Sequence, residues 1–318
     1  MADYCFGVDV GGTTVKCGLF RVDGSLLEKW EIPTRTADGG KDIIGDIGAT
    51  LLAKMEERQL SREDFLGIGL GVPGPVDQKG IINGAVNLHW GKKDLPAELG
   101  GITGLSVWAG NDANVAALGE MWKGGGAGSR NLILATLGTG VGGGIIVEGQ
   151  IVTGSRGAGG EIGHCRVNRQ EKEVCNCGNQ GCLEQYASAT GIARLARREL
   201  AASTDGSVLR EQPEDSITAK DVFDAFKAGD DLAARVVDKF ALYLGNALAT
   251  FATVVDPEVI VLGGGVSKAG APLIQAVQKV FREDAFHSSK DVPIVLAQLG
   301  NDAGIYGAAK LAIDKGQS

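Results

Sequence analysis

No stretch of this 318-residue chain reaches the roughly 18 consecutive apolar residues that a membrane-crossing helix requires. The most apolar long segment, 247–266, is broken by Asp256, Pro257 and Glu258. The N-terminal MADYCFGVDVGG has neither the basic start nor the small-residue cleavage site of a secretory leader, and it reads directly as a strand. A cytoplasmic protein with no membrane partner is therefore expected. Positive charge is the scarcer sign, with 31 lysines and arginines against 39 aspartates and glutamates, and aromatics amount to only 5%. A net charge of −8 argues against nucleic acid as a partner, and few rings are available for base stacking. A small anion can still be held in a local pocket. Eight prolines and no three-residue period exclude a collagen-like chain, although glycine is abundant at 50 residues. Hydrophobic residues at 44% supply a sizeable core, so the glycines do not signal disorder. Many of them sit in short clusters beside apolar runs, where they permit tight turns and close backbone approach.

Short apolar runs alternate with longer amphipathic ones, the pattern of an α/β protein. At about 150 residues per domain, the length suggests two domains. Segments 4–10, 15–22 and 26–32 read as strands, with a hairpin turn at Asp23-Gly24. Segment 42–58 places Ile43, Ile47, Leu51 and Met55 four apart on one helical face. Strand 66–72 ends at Pro73-Gly74-Pro75, and strand 105–109 leads into a helix over 112–122. Gly124-Gly125-Gly126 then breaks the chain, and the cluster from Gly124 to Gly128 is left as a loop without assigned chemistry. A second cycle begins at Leu132: strand 132–137, a Gly138-Thr139-Gly140 turn, a return strand at 144–147 and a turn at Glu148-Gly149. It repeats the arrangement of residues 4–24 and predicts two related lobes. Helices are expected at 189–202, 218–228, 231–254, 271–282 and 303–314, with strands at 259–262 and 292–296. The expected division is a small N-terminal lobe of residues 1–115, onto which a C-terminal helix within 303–318 packs back, and a large lobe of residues 116–302.

Two glycine clusters suit phosphate. Gly11-Gly12-Thr13-Thr14 joins two strands; such a turn points several backbone N–H groups at one anion, and the threonine hydroxyls and Lys16 add donors and charge. Asp9, just before it, suits a water-mediated Mg²⁺ contact. The same residues also make an ordinary hairpin. Gly138-Thr139-Gly140-Val141-Gly142-Gly143 formally matches the dinucleotide fingerprint G-x-G-x-x-G, but that fingerprint opens a helix and here a strand follows, which argues against a dehydrogenase. No G-x-x-x-x-G-K-[ST] is present, so the chain is not a P-loop protein. Two Gly-Thr hairpins, one per lobe, instead suit a triphosphate held from both sides. Gly263-Gly264-Gly265, between a strand and a helix, either lets an adenine or ribose lie against bare backbone or makes a plain turn.

The six cysteines are Cys5, Cys17, Cys165, Cys175, Cys177 and Cys182, and structural disulfides are not expected in a reducing compartment. His164, Cys175, Cys177 and Cys182 make a Cys₃His set for tetrahedral Zn²⁺, with Gly178 and Gly181 turning the loop. Four protein ligands leave no open position, so the zinc would be structural. The alternatives are incidental free cysteines and a nucleic-acid-binding zinc ribbon; the latter would show a second CxxC pair and a basic surface, and the loop has neither. Asn111-Asp112 stands at the end of a strand and the start of a helix. Both residue types are favoured N-caps, and Asp112 also suits a general base, since a helix N-terminus favours the ionised carboxylate. Glu161 and Glu184 bracket the cysteine loop, 161–184. They read either as solvated loop carboxylates or, with the loop pinned by a metal, as side chains fixed with His164 for bidentate contacts to a sugar polyol.

Taken together these segments resemble the ROK family of sugar kinases and regulators, within the actin/hexokinase/Hsp70 superfamily. The most specific piece is Gly160-Glu161-Ile162-Gly163-His164 with the run from Cys175 to Glu184, which looks like the family signature and its zinc motif. Asp9-Val10-Gly11-Gly12-Thr13 resembles the first phosphate motif, Leu137 to Gly142 the second, and Leu262-Gly263-Gly264-Gly265 the adenosine motif. The resemblance runs from Gly7 to about Gly307. It implies a two-lobed actin-like ATPase (ribonuclease H-like) α/β fold with mixed sheets and helices on both faces. It also implies ATP-dependent phosphorylation of the 6-hydroxyl of a hexose, glucose first among them. Asp112 would take the hydroxyl proton. Asn111, Glu161, His164 and Glu184 would hold the other hydroxyls, with His164 also ligating zinc. Asn87, in Asn87-Leu88-His89-Trp90, resembles the NLxW segment of the family's bacterial glucokinases and would add a sugar contact. The Gly-Thr turns would hold the phosphates of ATP with Mg²⁺, and closure over the sugar would exclude competing water. By the same resemblance a homodimer or homotetramer is expected. Kinases for other hexoses or N-acetylhexosamines share these motifs. So do the family's sugar-sensing regulators, but these carry a DNA-binding helix-turn-helix before the first phosphate strand, and with Asp9 so near the start of the sequence such a regulator is not expected.

Overall fold

The computed structural model describes residues 2–317. Strand β1 (Tyr4–Val10) alternates its side chains between two cores, as a strand with helices on both faces must. It pairs antiparallel with β2 (Thr14–Arg21), which pairs antiparallel with β3 (Leu26–Pro33), and in parallel with β4 (Phe65–Val72). A two-stranded ribbon of β5 (Ile81–Ile82) and β6 (Lys93–Asp94) follows, and β7 (Val107–Asn111) completes a sheet of order β3-β2-β1-β4-β7. A single turn, α1 (Ala37–Gly40), leads to α2 (Ile43–Glu57), and α3 (Leu95–Thr103) lies between β6 and β7. Phe6, Val8 and Val10 join Ile47 and Leu51 of α2 and Leu99 of α3 in the core on one face. Cys5 and Phe20 face the other way, against Ile305, Ala309 and Ile313 of α10 (Ala303–Gly316).

Helix α10 sits on the sheet backbone itself. A Cβ on Gly69 of β4 would stand 1.7 Å from the Ala308 carbonyl oxygen, and one on Gly307 would stand 1.7 Å from that of Val115 in α4 (Asp112–Lys123). Helix α4 is thus clasped to α10. The first compact unit comprises Met1–Arg130, Gly144–Gly160 and Gln298–Ser318, the second Asn131–Gly143 and Glu161–Ala297. The boundary therefore lies beyond the 115/116 division suggested by the sequence, because α4 is one continuous helix whose partner, α10, belongs to the first unit. The glycines after α4 acquire a reason here. Glu120 is only 1% exposed, and its carboxylate accepts from the backbone N–H groups of Gly125 (2.8 Å), Gln298 (3.0 Å) and Leu299 (2.9 Å). A side chain at Gly124 would collide with that carboxylate.

The second sheet has the order β10-β9-β8-β11-β12, from β8 (Leu132–Leu137), β9 (Val141–Val147), β10 (Gln150–Ile151), β11 (Val259–Gly263) and β12 (Ile294–Leu296). Strand β8 is parallel to β11, and β11 to β12. The strand order repeats that of the first sheet, as the duplicated Gly-Thr turns suggested. Strand β9 begins at Val141 and not at 144; glycines 142–144 lie inside it, and the division between units falls within it. In the second unit, α5 (Glu184–Ala187), α6 (Ala189–Ala202), α7 (Ala219–Lys227) and α9 (Ala271–Asp284) accompany α8 (Asp231–Val255), whose Val236, Phe240, Leu244 and Leu248 make a four-residue-spaced buried stripe. Phe240 meets Phe223 of α7 edge-on at 5.9 Å. Among the described residues no helix is long and apolar enough to cross a membrane.

Candidate active site

In the first unit, β1 ends at Asp9-Val10 and the chain turns through Gly11, Gly12 and Thr13 into β2. The turn is closed by a bond from Gly11 N to the Thr14 oxygen (3.0 Å). Thr34 braces it from β3's end: its N–H reaches the Thr13 oxygen (2.9 Å) and its hydroxyl the Gly11 oxygen (2.7 Å). Gly12 and Thr13 are exposed, so the turn's backbone faces outward. Lys16 stands opposite Asp9 in the β1–β2 register and donates to the Asn301 oxygen at 3.0 Å. Burial, and then the like charge of Asp112, push the Asp9 carboxyl up to about 6, with Lys16 pulling the other way. Gly304 of α10 abuts Asp9: a Cβ there would lie 2.4 Å from the Asp9 Cγ.

Strand β7 runs two residues later than the sequence pattern suggested, so Asn111 is its last residue and Asp112 the first of α4. The Asn111 side chain is the N-cap: its Oδ1 accepts from Ala113 N (3.0 Å) and Asn114 N (3.1 Å), while its Nδ2 donates to the Gly74 oxygen (3.2 Å). That leaves one amide hydrogen of Asn111 for a ligand. The Asp112 Oδ1 accepts from Ala113 N at 2.8 Å, at the positive end of a 12-residue helix. Asn87 is exposed, just before the buried anchors Leu88 and Trp90; the Trp90 indole donates to the Gly40 oxygen (2.9 Å). It stands beside the first turn, since a Cβ on Gly12 would be 3.9 Å from the Asn87 Cβ.

In the second unit the Gly138-Thr139-Gly140 turn is tied to the start of α6. Ala189 N donates to the Gly138 oxygen and the Thr190 hydroxyl to the Thr139 oxygen, both at 2.8 Å. Glu184 backs the same turn: its Oε2 accepts from Val141 N at 3.0 Å, and a side chain at Gly140 would collide with it. The other oxygen, Oε1, lies 3.7 Å from the Cys175 sulfur. Glu184 therefore links the turn to the cysteine loop, a double role that its place in the motif did not reveal. Glu161 is exposed at the head of the short turn that carries His164.

His164, Cys175, Cys177 and Cys182 converge, with their ligand atoms within 4.8 Å of one another. The Cys177 and Cys182 sulfurs are 3.6 Å apart, and the Cys175 sulfur is 3.9 Å from His164 Nδ1. Tetrahedral zinc with Zn–S of about 2.3 Å separates its sulfurs by about 3.8 Å, so the donor set fits that metal in number, softness and spacing. No disulfide competes, because all six cysteines are free thiols and Cys165 stays outside the cluster. Burial pushes the Cys182 thiol up to about 12 and raises that of Cys175. Three thiolates this close would repel one another without a cation among them.

Gly263 ends β11, and Gly264 follows at φ +80°, where a Cβ would lie 2.5 Å from the Leu137 carbonyl oxygen. Gly265 differs: no atom lies within 4 Å of the position its Cβ would take. A cavity of ≈ 350 Å³ lies beside it, walled by Val266 and Lys268 and by Ala219, Phe223 and Lys227 of α7. The α7 wall carries no motif, and only its three-dimensional approach to Gly265 reveals it.

Two sheets of matching order, each opening with a Gly-Thr hairpin, belong to the actin-like ATPase class of folds. Within that class the chain belongs to the ROK family, whose model matches residues 5–315. It is 46% identical over 308 residues to the glucokinase of Halalkalibacterium halodurans, covering 96% of this chain and 93% of that protein. The ROK hexokinase of Thermus thermophilus is 32% identical, with a TM-score of 0.83 over 99% of both chains. A ROK family glucokinase from Streptomyces griseus, solved in complex with glucose and AMPPNP, is 33% identical, with a TM-score of 0.76 over 98% of this chain and 99% of that one.

The two neighbouring glycines separate space from conformation. Gly265→Ala is expected to fold normally and, by adding a methyl group at the cavity wall, to weaken adenine-nucleotide binding several-fold without affecting sugar binding. Gly264→Ala is expected to lower the thermal midpoint, since both its φ and its contact with Leu137 exclude a side chain. Calorimetry and nucleotide titration of both variants check this; equal behaviour of the two contradicts the assignment.

Proposed function

We propose that this chain is an ATP-dependent hexose kinase that transfers the γ-phosphoryl group of ATP to the 6-hydroxyl of glucose. The observation that carries this reading is Asp112 at the N-terminus of α4, capped by Asn111 and near enough to Asp9 to raise its carboxyl. Strand ends that meet helix starts are where open α/β sheets hold ligands. The similarity to glucokinases at up to 46% identity favours glucose over other hexoses.

In this reading Asp112 accepts the proton of the 6-hydroxyl as the oxygen attacks, a step worth about 10² to 10⁴ in rate for a well-placed base. Asn87, Asn111, Glu161, His164 and Glu184 hold the remaining hydroxyls. Gly11, Gly12, Thr13 and Thr14 with Lys16, and Gly138, Thr139 and Gly140, supply donors to the phosphates, while Asp9 holds Mg²⁺ through water. Gly263, Gly264 and Gly265 face the nucleoside. Zinc on His164, Cys175, Cys177 and Cys182 is structural and fixes the sugar-facing loop. Free thiols in this number suit the reducing cytoplasm.

Asp112→Asn keeps a side chain able to lie at the helix start but removes the base. It is expected to cut kcat by about a thousandfold, within the range of general-base catalysis, while glucose still binds in calorimetric titration. A kcat within about tenfold of native excludes Asp112 as the base.

A pH dependence follows from Asp9. Its carboxyl, raised to about 6, is ionised at pH 7 and protonated below pH 6, so Mg²⁺-dependent nucleotide binding is expected to fall as pH drops through that value. In Asp112→Asn the like charge is gone, so the Asp9 carboxyl ionises more readily and the falling limb shifts to lower pH. Burial, the larger cause, remains, so the limb stays above the ordinary aspartate range. Titration of Mg·ATP against pH in both proteins checks this, and an unshifted limb contradicts the coupling.

A further inference from the structure

Glu171 takes no part in the chemistry above, yet it is buried, with 7% of its surface exposed. Its Oε2 accepts from the Tyr186 hydroxyl (2.5 Å), Arg198 Nη1 (2.9 Å) and Arg194 Nη2 (3.2 Å). Its Oε1 accepts from Arg198 Nη2 (3.1 Å) and from the backbone N–H groups of Lys172 (3.0 Å) and Glu173 (3.1 Å). The hydrogen bonds from Arg198 are the main reason its carboxyl lies far below the ordinary glutamate range. Both arginines belong to α6, and both also pair with Glu173, at 2.8 and 2.7 Å.

Gln185 joins this network to the far side of the loop. Its Oε1 accepts from Gly181 N (2.8 Å) and Cys182 N (3.1 Å), and its Nε2 donates to the Glu173 oxygen (3.1 Å). Arg194 in turn donates to the Gln185 carbonyl oxygen at 2.6 Å. The entry of the cysteine turn, 171–173, and its exit, 181–182, are therefore fastened to one another and to α6. Between them the turn is closed by the Val174–Gln180 bridge. None of these bonds uses a sulfur or the imidazole of the metal set. A buried ion-pair network is rarely more stabilising than apolar packing of equal volume. What it supplies is register, because each acceptor meets a directional donor.

We propose that Glu171 and Gln185 are positioning residues that hold the cysteine loop in its ligand-ready shape by protein contacts alone. A bound metal then locks a geometry that already exists, and Glu184, next to Gln185, keeps its place behind the Gly-Thr turn. The metal arm of the test rests on the structural-zinc reading above; the amide arm does not.

The discriminating variant is Glu171→Gln in the full-length protein as purified, because Glu171 touches neither the Gly181 nor the Cys182 amide. Hydrogen exchange at those two amides, which donate to Gln185 and not to a metal ligand, is expected to speed by about tenfold or more, as expected for local opening. Zinc release to a chromophoric chelator is expected to speed by about tenfold to a hundredfold, the range typical of lost outer-shell support. KM for glucose and KM for ATP should both rise, because Glu184 belongs to the sugar-facing set and also backs the Gly-Thr turn, while kcat at saturation stays near native. Should Glu171→Gln not fold, Arg198→Lys, which keeps the charge but loses the fork, takes its place. Native-like exchange at both amides in a folded variant overturns the proposal, as does a loss of kcat with both KM values unchanged. If the purified native protein holds no zinc, the zinc reading fails by itself and the amide exchange decides the clamp.

Discussion

The first unit depends on the direct contact of helix α10 with the backbone of β1, β4 and α4. Gly7 and Gly69 remove the side chains that would hold the helix off the sheet, and Gly307 does the same toward α4. The consequence is chemical as well as structural. Through Gly304, α10 presses on Asp9; through Gly307, it fixes α4, whose first residue is Asp112. The two carboxylates are thereby held close enough to feel each other's charge. A bulkier interface would leave both acids in the sequence but not in this relation.

The second unit reaches order by another route. Its Gly-Thr turn is backed by Glu184 and by the start of α6, and the cysteine loop is fastened to that same helix through Glu171 and Gln185. Polar networks do here what glycine contacts do in the first unit. The metal donors, the turn and Glu184 share one rigid base, so a change in the loop is felt at the turn.

Much of the candidate site was legible because its parts are local. Gly11-Gly12-Thr13, Asn111-Asp112 and the Cys175–Cys182 run each declare their conformation within a few residues. The features that escaped depend on distance along the chain. Glycines 142 and 143 look like turn residues, yet they lie in β9 with Gly144, on which a Cβ would meet Ala117. The two-residue shift of β7 follows from its pairing with β4, which an isolated apolar run does not encode. The cluster beginning at Gly124 takes its reason from Glu120, whose carboxylate holds both Gly125 and the distant Gln298. The α7 wall beside Gly265 likewise arises from packing, not from any motif.

The central claim is phosphoryl transfer from ATP to the 6-oxygen of glucose, and direct inspection of the product tests it most sharply. Incubation of the purified protein with glucose and Mg·ATP, followed by ³¹P NMR, should give stoichiometric ADP and glucose 6-phosphate. ATP left intact with glucose and the other common hexoses, or phosphate attached to any other hydroxyl, would contradict the account.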